Sequence, residues 1–139
     1  MAAKQLRVRL LSPARTLLDQ EAAMVVLPAF DGEWGILPGH APLVALLGTG
    51  CLRVTVSEQV GHAFAVRGGF VQVRDNVVTI LTPECAGPAE INGAAVDAEI
   101  ARLQEEVAVP AERGGQARQL AWARACRTVL GQAPPGPKR

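Results

Sequence analysis

The chain reads as a β-sandwich followed by a C-terminal antiparallel α-helical hairpin, an all-β unit plus αα. Three observations predict this. Over the first 85 or so residues the apolar side chains alternate or fall in short β-branched runs. Turn-forming pairs separate those runs. From about Asn92 the apolar period becomes that of a helix. A chain of 139 residues suits one domain with an appendage. The expected division is a sandwich over 1–87, a hairpin over 88–131 and a disordered tail over 132–139.

Leu6, Val8 and Leu10 alternate with Gln5, Arg7 and Arg9, the pattern of a strand with one wet face. "AAMVVLPA" (22–29) is a β-branched run suited to a more buried strand. Leu52, Val54 and Val56 alternate with Arg53, Thr55 and Ser57, and "NVVTILT" (76–82) is a second β-branched run. Turns are expected at Ser12-Pro13, Asp31-Gly32, Pro38-Gly39, Gly48 to Gly50, Gly68-Gly69 and Asp75-Asn76. Many short strands with regular turns mean a sandwich or flattened barrel.

In the second half, Val96, Ile100, Leu103 and Val107 share one helical arc, with Asp97, Glu99, Glu105 and Glu106 outside it. Asn92 is placed to cap this helix and Pro110 lies past its end. Gly114-Gly115 reads as a flexible break, with a second helix from about Gln116 to Leu130. Its apolar side gathers Trp122, Ala123, Cys126, Val129 and Leu130, and Gly131 ends it. Residues 90–112 hold six acids against Arg102 alone, and residues 113–139 hold six bases and no acid. Two readings follow: the helices attract each other when antiparallel, or the basic helix also meets an acidic protein partner.

A net charge of +1 gives no whole-chain attraction to nucleic acid or to a membrane. No apolar run approaches the ~20 residues of a membrane span. The N-terminus carries no leader pattern, so a cytosolic, unprocessed chain is expected. Cys51, Cys85 and Cys126 are far apart and form no CxxC pair, which fits free thiols in a reducing compartment. No metal site and no cofactor are expected.

"DGEWGILPGHAPL", Asp31 to Leu43, is the densest stretch. Asp31, Glu33 and His40 are the residue types of an acid, a base and a ligand. Against catalysis, the loop holds no Ser or Cys nucleophile. Its single histidine is too few for zinc, and its glycines do not follow the phosphate-cradling pattern. Pro38 and Pro42 fix φ while Gly32, Gly35 and Gly39 permit tight turns. Ile36 and Leu37 are expected to plug the sandwich, and Trp34 either covers the core or waits for a partner. A loop held so firmly presents a surface.

"GEWGILPGHAPLV" closely resembles the G-E-x-G-I-x-P-G-H-A-P-L segment of the epsilon subunits of F-type ATP synthases. "AMVVLPAFDGE" fits the strand before it. "VRGGFVQVRDNVVTILT" resembles that family's S-G-G-x-x-x-V-x-x-x-x-V-T-V-L-A stretch, with Arg67 where Ser is common. The resemblance implies a non-catalytic subunit of the rotary complex that makes ATP from ADP and phosphate with a proton (sometimes sodium) gradient. It implies that the sandwich clamps the gamma subunit to the c-ring. Asp31, Gly32 and Glu33, with the turn at His40, Ala41 and Pro42, match the docking loops. For His40 two roles stand side by side, a hydrogen bond within its own turn or a direct contact.

The resemblance also implies that the hairpin either lies beside the sandwich or extends into the α/β catalytic hexamer and blocks ATP hydrolysis. Arg118, Arg124 and Arg127 are then the candidates for an acidic loop of the β subunit. Some bacterial members hold the hairpin down with ATP through an I/L-D-x-x-R-A motif. An ungapped reading places it on Ile91, Asn92, Gly93, Ala94, Ala95 and Val96, with Asn92 for Asp, Ala95 for Arg and Val96 for Ala. The cation that would face phosphate is missing, so ATP binding is not expected. Composition and N-terminus favour a bacterial protein, peripheral on the cytoplasmic face of the plasma (inner) membrane and held there by partners. The competing readings are a free-standing β-sandwich adaptor and a small hydrolase using His40.

Overall fold

A computed structural model describes residues 5–107 and 113–132. Its strands are β1 (Leu6–Leu11), β2 (Thr16–Ala22), β3 (Met24–Ala29), β4 (Gly32–Ile36), β5 (Leu43–Leu46), β6 (Thr49–Thr55), β7 (Gly61–Arg67), β8 (Phe70–Arg74), β9 (Val77–Leu81) and β10 (Glu84–Ala86). A 3-10 turn, Pro88–Glu90, leads to α1 (Gly93–Val107) and α2 (Arg113–Gln132). The strands form two five-stranded sheets, β2-β1-β9-β8-β5 and β10-β7-β6-β3-β4. Every pairing is antiparallel except that of β1 with β9.

The alternation read from the sequence becomes the core. Leu6, Val8 and Leu10 are fully buried while Arg7 and Arg9 face outward. With Val71, Val73, Val78 and Ile80 they meet Val25, Leu27, Leu52, Val54, Phe64 and Val66 of the second sheet in one cluster. Each such side chain contributes about 1.5–3 kcal/mol by leaving water. Gly68-Gly69 carries the chain from β7 in the second sheet to β8 in the first. Gly69 has φ +102, and a β-carbon there would lie 1.9 Å from the Leu81 carbonyl oxygen. Only glycine fits that crossing.

The hairpin lies against the second sheet. The Asn92 side-chain oxygen accepts the Ala95 amide at 3.0 Å, which makes Asn92 the N-cap, as its residue type predicts. Ile100 and Leu103 of α1 pack on Leu120 and Ala123 of α2. On its other side α2 sets Ala125, Cys126 and Val129 against Cys51, Ala63 and Ala65. α2 is therefore the inner helix, and the small side chains on both partners let it lie close to β6 and β7. This also explains why Ala63 to Val66 are buried without a break: β7 is covered on both faces.

Several expectations change. α2 begins at Arg113, not Gln116, so Gly114-Gly115 lies in its first turn and not in a break. Each glycine costs about 1 kcal/mol in a helix, which the packed stretch from Leu120 to Val129 outweighs. Gly131 likewise falls inside the last turn. Leu37 is 55% exposed; only Ile36 plugs the core, and half-buried Trp34 packs at its margin. Pro110, the Val107 side chain and all of the expected tail except Gln132 lie outside the described residues.

Candidate docking surfaces

The stretch from Asp31 to Leu43 folds as β4, a crossing turn and the start of β5. Its first end is the tip between β3 and β4. Ala29 pairs with Gly32, so Phe30 and Asp31 alone make the turn. Asp31 is exposed, and Glu33 pairs with Arg53 at 3.3 Å. Beside it Phe30 is 77% exposed, and its amide donates to the Leu46 carbonyl at 3.2 Å.

The second end is the turn at His40, Ala41 and Pro42. The Gly39 amide donates to the Asn76 side-chain oxygen at 2.7 Å, which ties this turn to the β8–β9 turn. His40 Nδ1 lies 2.7 Å from the Ala41 carbonyl and donates to it, while the His40 amide donates to the Leu37 carbonyl at 3.1 Å. Of the two roles open for His40, this geometry is the internal hydrogen bond. The structure does not bring the two groups of predicted residues together. They sit at opposite ends of β5, about 10 Å apart at 3.3 Å per residue.

β5 joins them, and it shows what the sequence reading missed. Leu43 and Ala45 turn inward, while Val44 is 71% and Leu46 66% exposed. Leu46 pairs with Phe70, Phe70 with Leu81, and Leu81 with Leu11. These four side chains form one apolar row across four strands, on the outer face of the first sheet. Phe70 is 43% exposed, and a cavity of about 250 Å³ opens among Leu11, Pro13, Phe70 and Leu81. The signal was present: "LVAL" is apolar at both alternating positions, and "VVTIL" is apolar at all but Thr79. A strand with one wet face would not be.

On the opposite side, a cleft of about 420 Å³ lies at the seam between hairpin and sandwich. Ile91, Asn92, Ala95 and Val96 line it, with Trp122 opposite. Two carboxylates, Glu90 and Glu99, border it, and none of its lining residues is cationic. The Gly87 amide, and after it Arg15, hold the Glu90 carboxyl below its usual range. All three thiols are pushed up by burial, that of Cys85 to about 12, so none is an activated nucleophile. Among the described residues no group of three or more His, Cys, Asp and Glu side chains could hold a metal ion, and no helix is long and apolar enough to cross a membrane.

Residues 5–87 match the family model described as ATP synthase, Delta/Epsilon chain, beta-sandwich domain. The chain belongs to this family. The ATP synthase epsilon chain of Leptospira borgpetersenii is 41% identical over 105 residues, which is 76% of this chain and 80% of that one. The epsilon chain of Pelotomaculum thermopropionicum is 36% identical over 78% of this chain and 80% of its own. Among solved structures, a chain of the OSCP/F1/c-ring assembly of Euglena gracilis mitochondrial ATP synthase superposes with a TM-score of 0.79 at 25% identity. That match covers 91% of this chain and 81% of the other. A chain of the Tetrahymena thermophila central stalk and c-ring shares the fold, with a TM-score of 0.61.

Membership makes the chain a stalk subunit of the ATP synthase complex without catalysis of its own. Two further sets of residues have meaning only in that family. Arg118, Arg124 and Arg127 are all exposed on α2. Arg127 reaches Asp97 of α1 at 3.4 Å, while Arg118 and Arg124 have no ion pair with any described residue. The four degenerate-motif residues do come together, in the seam cleft. Its Glu90 and Glu99 are paired with Arg15 and Arg102, and the lining itself offers phosphate no cation.

Proposed function

We propose that residues 1–87 clamp the gamma subunit to the c-ring during proton-driven ATP synthesis, and that residues 88–131 restrain ATP hydrolysis. The observation that carries this reading is the difference between the two outer faces. The second sheet is covered by α2. The first sheet presents the apolar row of Leu46, Phe70, Leu81 and Leu11, with Val44 and Phe30 beside it. An apolar patch of this kind fits a permanent protein partner. The gamma subunit is assigned to this face. The exposed, polar tip at Asp31, Gly32 and Glu33 is assigned to the polar loops of the c-ring. His40, Ala41 and Pro42 shape the other end of the same face.

The hairpin packs on the sandwich mainly through small side chains, so a limited area must be given up when it leaves for the α/β hexamer. Arg118, Arg124 and Arg127 then meet an acidic loop of the β subunit. ATP does not hold the hairpin down here, because the cleft lacks a cation. Association with the cytoplasmic face of a bacterial plasma membrane follows from assembly into the complex alone. The Euglena relative, found in an assembly with F1 and a c-ring, supports the assignment of partners.

The test is a chain ending at Gly87, reconstituted with the remaining subunits. It is expected to bind gamma and support proton-driven synthesis while hydrolysis is no longer restrained. Failure to bind gamma would overturn the division of labour.

A further inference from the structure

The outward row of β7 runs Ala63, Ala65, Arg67. The first two are small and let α2 come close. The third is large, and it reaches onto the helix. The Arg67 guanidinium carbon lies 4.6 Å from the centre of the Trp122 ring, inside the roughly 6 Å range of a cation–π contact. On the sheet side, Glu84 pairs with Arg67 across β10 and β7, and its carboxylate lies 3.6 Å from Nη1. Arg67 Nε is buried and makes no hydrogen bond among the described residues. A guanidinium partly withdrawn from water in this way interacts more strongly with a ring face than an exposed one.

Position matters as much as chemistry. Trp122 is the first α2 side chain, counted from the N-terminus of the helix, in the cluster packed on the sandwich; Leu120 and Ala123 pack with α1. The contact therefore sits where α2 would begin to peel away. Beyond the apolar packing, the ion pairs seen among the described residues between hairpin and body, or between its helices, are the exposed pairs Arg15–Glu90 and Arg127–Asp97. Pairs of that kind contribute little.

We infer that Arg67, stacked on Trp122 and steadied by Glu84, is a latch that holds the hairpin on the sandwich, a contact made by protein alone. The inference rests on the proposed regulatory role of the hairpin only for its consequence in the complex. The latch itself is a property of the isolated chain.

The chain carries its own reporters. Cys51 of β6 and Cys126 of α2 are buried between α2 and the sheet, whereas Cys85 packs against the sandwich core. Maleimide labelling of the full chain under native conditions, resolved by mass spectrometry, reads release of α2 at the first two thiols and opening of the sandwich at the third. Arg67→Ala is expected to speed labelling of Cys51 and Cys126 about five- to tenfold and leave Cys85 unchanged. Trp122→Leu should also speed it, and the double variant should be slower than the product of the two effects predicts, because both remove one contact. Unchanged rates at Cys51 and Cys126, or multiplicative effects, would overturn the latch. In the reconstituted complex Arg67→Ala should deepen inhibition of hydrolysis. Faster labelling with unaltered hydrolysis would support the latch and count against the regulatory reading instead.

Discussion

Asn92 serves α1 as its cap. Its side-chain oxygen caps α1 through the Ala95 amide, as a carboxylate oxygen would. Asn92 is uncharged and Ala95 offers only a methyl group, so neither brings a cation to a phosphate. None of the residues lining the cleft is cationic, and the nearby Arg15 and Arg102 are engaged by Glu90 and Glu99. Titration of the full chain with ATP in a calorimeter is expected to give no binding heat at micromolar concentrations; a micromolar dissociation constant would contradict this. The cap was legible in the sequence because it is local, spanning three residues. So was the demand for glycine at Gly69, from the Gly-Gly pair between two strands. The Arg67–Trp122 contact was not, since nothing local says that β7 and α2 will meet.

Elements were legible where they bury one face only. β1 follows its alternation, and α1 follows its single arc to Ile100 and Leu103. α2 is harder because it has two partners. Leu120 and Ala123 face α1 while Ala125, Cys126 and Val129 face the sheet, so the buried arc is wide and an estimate of one narrow stripe omits Leu120 and Ala125. Its polar side carries Arg118, Arg124 and Arg127, whose one observed described carboxylate partner is Asp97. An exposed pair of that kind is worth about 0–1 kcal/mol. An acidic loop in an enclosed cavity is screened less by water and salt. Replacing all three arginines by Ala should therefore relieve inhibition of ATP hydrolysis in the reconstituted complex to the extent that deleting α2 does, with gamma binding intact. Equal inhibition by variant and parent would leave only steric blocking by the helix.

At the scale of the molecule, the sandwich has a covered face and a bare one. Sequence patterning announced two sheets and a hairpin, but it does not say which sheet the hairpin covers. That depends on Cys51, Ala63 and Ala65 offering a shallow surface to the small side chains of α2, a match between segments remote in sequence. The apolar row on the other face escaped notice for a related reason. Its four members come from β5, β8, β9 and β1, and only the register of those strands aligns them. Docking of gamma on this row is the central claim, and calorimetry of the full chain with the isolated gamma subunit tests it most directly. Leu46→Asp with Phe70→Asp places two charges at the β5 end of the row, at its most exposed members, without touching the core, so the fold and the protection of Cys51 and Cys126 should persist. Loss of a central apolar anchor costs about 2–4 kcal/mol at such interfaces, so the double variant should bind gamma at least about a hundredfold more weakly than the parent. Binding of gamma with parental affinity by a folded double variant would contradict the account.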